Sequence, residues 1–145
     1  MQICKLEHIH KDYRMGEIVS PLKDITLTVS SGDFLAVEGP SGIGKSTLLY
    51  VMGTLLQSDK GSYFFEEQDV SKMSDHQRSE LRAKKIGFLF QDSTMIQALT
   101  LRENLIFTQS VGGKKDPKQV DELLCRFGLE DRADFFPHQL SGGQR

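Results

Sequence analysis

The stretch "GPSGIGKST", residues 39–47, constrains the fold of this chain more than any other feature. It fits the pattern GxxxxGK[ST], with Gly39, Gly44, Lys45 and Ser46 at the defining positions. Glycines let backbone N–H groups converge on phosphate oxygens, and a helix that follows adds its positive N-terminal end. Lys45 then reaches the β- and γ-phosphates, while the Ser46 hydroxyl can hold Mg²⁺. The motif predicts a nucleotide-binding loop between a strand and a helix.

The segments on both sides of the loop have the patterns that this arrangement needs. "FLAVEGP", residues 34–40, is a consecutive apolar run that predicts a strand covered on both faces. Ile25, Leu27 and Val29 alternate with polar residues, as in a half-buried strand. Helical spacing covers residues 45–56, and "SYFF" (62–65) and "IGFLF" (86–90) predict further strands. We therefore predict an α/β fold whose strand-rich part, residues 1–91, binds the nucleotide.

The second half of the chain has helical signals. Thr100 and Glu103 have the spacing of a capping box at a helix start. A second helix is predicted from Asp116 to Gly128, because a proline follows the cap and a glycine ends the pattern. Its apolar face is predicted to contain Val120, Leu123, Leu124 and Phe127. Residues 92–145 are thus predicted to be the helical part of one domain that spans residues 1–145.

Charge, apolar runs and cysteine spacing argue against nucleic-acid binding, secretion, and a metal or disulfide site. Eighteen basic residues against 20 acidic ones give a net charge of −2, which argues against nucleic acid as a partner. The chain has no signal peptide and no run of 18 apolar residues, so a cytosolic location is expected. Cys4 and Cys125 lack metal-site or disulfide spacing, and both are expected to be buried or half-buried small apolar residues.

A second candidate phosphate site is "LSGGQR", residues 140–145. A serine followed by two glycines at a helix start presents a hydroxyl and several free N–H groups to an anion. Two phosphate sites in one domain cannot easily serve one nucleotide. A head-to-tail pair of domains that share two ATP molecules would use both.

At these residues the chain closely resembles the ABC-type ATPases, whose signature motif is LSGGQ. The resemblance implies that Ser141, Gly142, Gly143 and Gln144 contact the ATP that is held by the opposite subunit. It implies that Gln91, in "GFLFQD", touches Mg²⁺ and relays the nucleotide state to a membrane partner. It also implies that Tyr13, in "KDYRMGE", stacks on adenine. The remaining ATP-binding residues that it implies in the loop are Ser41, Gly42 and Thr47, beside the four named above.

Three stretches, "GPSGIGKSTLL", "KKIGFLFQ" and "LTLREN", resemble the ATP-binding subunits of lipoprotein-release, macrolide-export and antimicrobial-peptide-export transporters. The implied fold is a P-loop NTPase of ABC ATPase type, with N-terminal strands, a phosphate-loop core and a helical subdomain. The implied cofactors are ATP and Mg²⁺. A membrane permease and a second nucleotide-binding domain are the implied partners, on the cytoplasmic face of the cell membrane.

The chain departs from the family pattern after its signature. The family continues with an apolar run that ends in Asp and Glu and later with a switch histidine, and these 145 residues contain neither. We expect the C-terminal part of the core to be missing through truncation, which would leave the strand at residues 34–38 with an exposed edge and an uncovered apolar face. The fragment should bind nucleotide without hydrolysing it, since the water-polarising carboxylate is absent. Two alternatives are a noncatalytic nucleotide-binding or interaction remnant and a soluble ABC ATPase that is not linked to transport.

Overall fold

The structure, a computed structural model, describes residues 1–91 and 94–144. The chain divides into an N-terminal unit, residues 1–86, and a C-terminal unit, residues 87–145. The N-terminal unit contains β1 (Gln2–Met15), β2 (Glu17–Ser30), α1 (Lys45–Met52), β3 (Lys60–Phe65), β4 (Gln68–Asp69) and α2 (Asp75–Lys85). The C-terminal unit contains α3 (Leu101–Val111) and α4 (Pro117–Arg126), with short 3₁₀ turns after α4.

The four strands form one antiparallel sheet in the order β2-β1-β3-β4. β1 and β2 make a long hairpin whose turn is Gly16, at a φ of 83°. The alternation predicted at residues 25–29 is confirmed, since these residues lie within β2. The sheet packs its apolar face around Leu6 and Ile9 of β1, which are completely buried. β1 is thus the central apolar strand of this unit, and our sequence analysis did not predict it.

Two of the predicted strands do not form among the described residues. Residues 34–40 and 86–90 have no strand conformation, and Phe34 is 97% exposed. A parallel strand is stabilised by hydrogen bonds to its neighbours and by cover on both faces. Neither segment has a ladder partner in the sheet described above. The prediction of strands in these two segments is wrong for this structure, whereas the expected exposure of residues 34–38 is found.

The helices of the N-terminal unit also differ from their predicted extents. α1 ends at Met52 rather than Leu56, because Gly53 closes the helix and Thr54 takes a φ of 60°. Tyr63 on β3 donates its hydroxyl to the Met52 carbonyl at 2.5 Å, which fixes this end of α1 to the sheet. α2 was not predicted, although Ser74 and Gln77 form a complete capping box at its start.

In the C-terminal unit both predicted helix starts are confirmed. Thr100 and Glu103 form the capping box of α3, and the Asp116 side chain accepts two backbone N–H bonds at the start of α4. The unit has its own core, which consists of Leu101, Val120, Leu124, Ala133 and Leu140.

The apolar face of α4 is narrower than the sequence predicts. Val120 and Leu124 are buried, but Leu123 and Phe127 are exposed, by 39% and 68%. Cys125, expected to be at least half-buried, is also exposed, whereas Cys4 is buried as expected. Val120 and Leu124 join the core of the C-terminal unit, whereas Phe127 lies beyond the last residue of α4, at its C-cap position.

Candidate functional site

The glycine-rich loop turns at three glycines whose φ angles are strained for other residues. Gly39, Gly42 and Gly44 have φ angles of 151°, 80° and 113°. At Gly44 a side chain is excluded by the φ angle and also by lack of space, because a Cβ atom there would lie 2.5 Å from the carbonyl oxygen of Pro21 on β2. The absence of a side chain lets the loop lie directly against the β2 backbone at the point where α1 begins.

The N-terminus of α1 has the properties of an anion site. Gly44 is the N-cap, no side chain caps the helix, and its first turn contains no acidic residue. The free N–H groups and the positive end of the helix dipole therefore have no competing carboxylate. The Lys45 ammonium lies within the loop, donating to the carbonyl oxygens of Gly39 at 2.7 Å and Pro40 at 2.8 Å.

The hydroxyl groups of the loop are available to a ligand. Ser41 and Ser46 are exposed, and Thr47 is half-buried in the first turn of α1. Residues 1–91 and 94–144 contain no group of three or more His, Cys, Asp or Glu that could hold a metal by itself. A Mg²⁺ ion at Ser46 would therefore take further ligands from the phosphates and from water, as Mg²⁺ usually does. The loop fits a triphosphate and its metal in this respect.

Tyr13 lies on β1, where it pairs with Val19 of β2. The Lys11 ammonium lies over the Tyr13 ring, 5.8 Å from the ring centre. In the β1–β2 ladder Lys11 lies opposite Leu22, and Tyr13 lies opposite Val19. Pro21 therefore falls between these two positions of β2. The same stretch of β2 therefore adjoins Tyr13 through the ladder and Gly44 through the Pro21 carbonyl. The structure thus brings the predicted adenine residue and the phosphate loop to one short segment of β2.

Gln91 and the signature residues belong to the C-terminal unit, whereas the residues of the glycine-rich loop belong to the N-terminal unit. Gln91 is exposed; Asp92, which follows it in the predicted motif, lies outside the described residues. Residues 96–100, which precede α3, are held by the buried side chain of Asn104 on α3. Its side chain accepts from the Ile96 N–H at 2.7 Å and donates to the carbonyls of Ile96, Leu99 and Thr100.

The signature segment is anchored at one end and open at the other. Leu140 is buried in the core of the C-terminal unit, while Ser141, Gly142 and Gly143 are exposed. The Ser141 N–H donates to Oε1 of Gln144 at 3.0 Å, and the Gln144 N–H donates to the Ser141 carbonyl at 3.0 Å. This compact turn presents the serine and two glycines to solvent. Arg145 lies outside the described residues.

Three residues of the site region were missed by sequence reasoning. Lys11 could have been found, because strand alternation places residues 11 and 13 on one face of β1. Asp59, which pairs with Lys11 at 2.8 Å, is 48 residues away and gives no local signal. Pro21 acts through its backbone, which no sequence pattern reports.

Comparisons with known proteins identify the family of this chain. A family model described as "ABC transporter" matches residues 22–145. A macrolide export ATP-binding/permease protein MacB from Syntrophobacter fumaroxidans is 42% identical over the whole chain, which spans 21% of that protein. The ABC transporter ATP-binding protein YvrO of Bacillus subtilis is 40% identical over 97% of the chain, which spans 63% of YvrO.

Solved structures are similar over nearly the same range. The dimeric, ADP- and Pi-bound post-hydrolysis state of the ATP-binding cassette MJ0796 has a TM-score of 0.89 and 34% identity. The match covers 98% of this chain and 65% of that one. A second dimeric structure of MJ0796 has a TM-score of 0.88 and 32% identity. Within the described residues, no helix is both long and apolar enough to cross a membrane.

Proposed function

This chain belongs to the ABC transporter family as an ATP-binding domain, and we propose that it binds Mg·ATP through the loop at residues 39–47. The observation that carries the proposal is the Lys45 ammonium, held inside a glycine loop at the uncapped start of α1. Its two carbonyl partners keep the ammonium where phosphate oxygens would replace them. Charge-assisted hydrogen bonds to phosphate are stronger than bonds to neutral carbonyls, so the exchange favours binding.

The proposed ligand set divides by part of the nucleotide. Backbone N–H groups of the loop and Lys45 bind the phosphates, Ser46 and Gln91 ligate Mg²⁺, and Tyr13 stacks on adenine. Ser41 and Thr47 add hydroxyl groups, and Gly39, Gly42 and Gly44 let the backbone approach the phosphates. Mg²⁺ would neutralise phosphate charge when bound. We keep the proposed division into a strand-rich part, residues 1–91, and a helical signature part, residues 92–145.

We also propose that this 145-residue chain does not hydrolyse ATP. Consecutive Asp and Glu residues occur at Asp121 and Glu122, but these lie on α4, before the signature segment in the chain. Asp121 also forms an ion pair with Arg102. No residue that we assign to the loop is a general base. The chain should therefore bind nucleotide without activating water.

Equilibrium binding of Mg·ATP to the 145-residue chain tests this proposal. Lys45→Ala should weaken binding at least about tenfold, since a charge-assisted bond contributes roughly 1.5–3 kcal/mol. Lys84→Ala, at an exposed lysine of α2, is the matched control and should bind as the unaltered chain does. Binding that is unaffected by Lys45→Ala would refute the loop assignment. ATP turnover that is abolished by Lys45→Ala would refute the proposed lack of hydrolysis.

We propose that a protein that contains this domain couples ATP binding and hydrolysis to a membrane permease, from the cytoplasmic face of the cell membrane. Two observations support a head-to-tail partner domain. The exposed Ser141–Gly143 segment faces solvent rather than its own core, and the similar cassette MJ0796 is described as dimeric. The net charge of −2 is the observation that disfavours nucleic acid as the partner.

A cross-linking experiment tests the head-to-tail arrangement. One copy would contain Ser41→Cys and the other Ser141→Cys, both with Cys125→Ser, because Cys125 is exposed and Cys4 is buried. A short thiol-specific reagent should join the two copies only when Mg·ATP is present. Glu17→Cys, at an exposed position of β2, replaces Ser41→Cys in the control pair. Equal cross-linking of both pairs would rule out the arrangement.

A further inference from the structure

Lys11 is the most enclosed of the lysines that form ion pairs in the described residues. Its side chain is only 13% exposed, compared with 39–84% for the other paired lysines. Its ammonium contacts the Tyr13 ring at 5.8 Å and an Asp59 carboxylate oxygen at 2.8 Å. The Lys11 ammonium therefore contacts both the Tyr13 ring, which we assign to adenine, and the Asp59 carboxylate, to which we assign no contact with nucleotide.

Asp59 is itself fixed to β1, through both its backbone and its side chain. Its backbone N–H donates to the His10 carbonyl at 2.9 Å, and its Oδ2 accepts the Asp12 N–H at 2.7 Å. The bond from Lys11, followed by that from Asp12, lowers the pKa of the Asp59 carboxyl, so it is charged at neutral pH. The carboxylate therefore binds both the Lys11 ammonium and the Asp12 N–H, and it holds the Lys11 side chain toward Tyr13.

A cation over one face of an aromatic ring has two consequences. It is attracted to the ring electrostatically, which restricts the ring to one orientation. It also covers that face, so a planar base can stack only on the opposite one. A ring held in this way binds a base with less loss of side-chain freedom than a mobile ring does.

We propose that Lys11 and Asp59 are positioning residues for the adenine site, with Asp59 holding Lys11 and Lys11 holding the Tyr13 ring. This inference rests on the proposed nucleotide binding and extends it, because it assigns a base-orienting role to two residues outside the loop. It requires that the Lys11–Asp59 pair contribute to binding of the base and make no contribution to binding of the phosphates.

Two probes separate these effects: Mg·ATP, and Mg-bound inorganic tripolyphosphate, which has the phosphates without the base. Asp59→Asn keeps the size and the Asp12 contact but removes the charge, and Lys11→Met keeps the aliphatic stem. Lys85→Met is the matched control, because it breaks the Lys85–Glu66 ion pair, 2.9 Å, in the same unit. Circular dichroism of each variant verifies that it is folded.

Asp59→Asn and Lys11→Met should each raise the dissociation constant for Mg·ATP about two- to fivefold, the range expected for losing a cation–π contact. The constant for tripolyphosphate should not change. Lys11→Arg should restore ATP binding, since a guanidinium also pairs with a carboxylate and stacks on a ring. In a Tyr13→Ala background, Asp59→Asn should have no further effect on ATP binding.

Three results would overturn the inference on its own. Equal weakening of both probes would mean that the pair has only a structural role. Tighter ATP binding in Asp59→Asn would mean that the freed Lys11 contacts the nucleotide itself. Unchanged ATP affinity in both variants would remove any role for the pair while leaving the proposed function intact. Failure of the unaltered chain to bind either probe would reject the proposed function and this inference together.

Discussion

The position of the phosphate loop depends on one residue, Gly44. Its φ of 113° lies where residues with a side chain are strained, and Pro21 occupies the space that a Cβ atom would need. The strain alone costs roughly 1–2 kcal/mol, to which the contact with the Pro21 backbone adds. The position of a Cβ atom and that of the Pro21 carbonyl are both set by the backbone, so neither can move aside by changing a rotamer.

We predict that Gly44→Ala displaces the loop from β2 and weakens Mg·ATP binding at least as much as Lys45→Ala does. The control is Gly32→Ala, since Gly32 has a similar φ of 88° but no atom within 4 Å of the Cβ position. That variant should lose some stability and keep its affinity. Isothermal titration calorimetry measures both affinities, and equal binding by the two variants would contradict the proposed role of Pro21.

Among elements, β3 and α1 are joined by the Tyr63 side chain. Tyr63 is 3% exposed, and its hydroxyl donates to the Met52 carbonyl at the end of α1. Burial, with a smaller effect of nearby Cys4, raises the pKa of Tyr63 well above its usual value. The folded chain therefore keeps the phenol protonated at a pH where the unfolded chain releases the proton, near 10.

This difference gives a pH dependence with a definite sign. The stability contributed by Tyr63 is fully present below pH ~10 and falls as the pH rises above it, by about 1.4 kcal/mol per pH unit. Tyr63→Phe should remove that part of the slope and lower the free energy of unfolding at neutral pH by roughly 0.5–1.5 kcal/mol. Tyr50→Phe, at an exposed tyrosine, should keep the slope. Urea unfolding at several pH values measures it, and identical slopes in all three proteins would contradict the prediction.

In the whole molecule, each unit has its own apolar core and also exposes large apolar side chains. Phe34 in the N-terminal unit and Leu89 in the C-terminal unit are almost completely exposed. Both belong to segments that we had predicted to be strands. Apolar side chains exposed in unpaired segments bind hydrophobic dyes and favour association.

We predict that the 145-residue chain binds a fluorescent hydrophobic dye in its folded state and associates at high concentration. Phe34→Ser with Leu89→Ser should reduce dye fluorescence, because the two changes remove the most exposed apolar side chains of these segments. Glu17→Ser, at an exposed polar position, should leave it unchanged. A monodisperse chain that unfolds cooperatively and binds no dye would contradict the prediction.

The sequence alone determined the features that depend on residues close together in the chain. The phosphate loop and the caps of α3 and α4 are of this kind, because each is closed by contacts over six or fewer residues. Tertiary structure decided the rest. Residues 34–40 are apolar enough for a strand but do not form one, because a strand needs a hydrogen-bonding neighbour. The contacts of Gly44 with Pro21 and of Asp59 with Lys11 join residues 23 and 48 positions apart, so only the folded β1–β2 hairpin, with the loop and the start of β3 packed against it, brings them together.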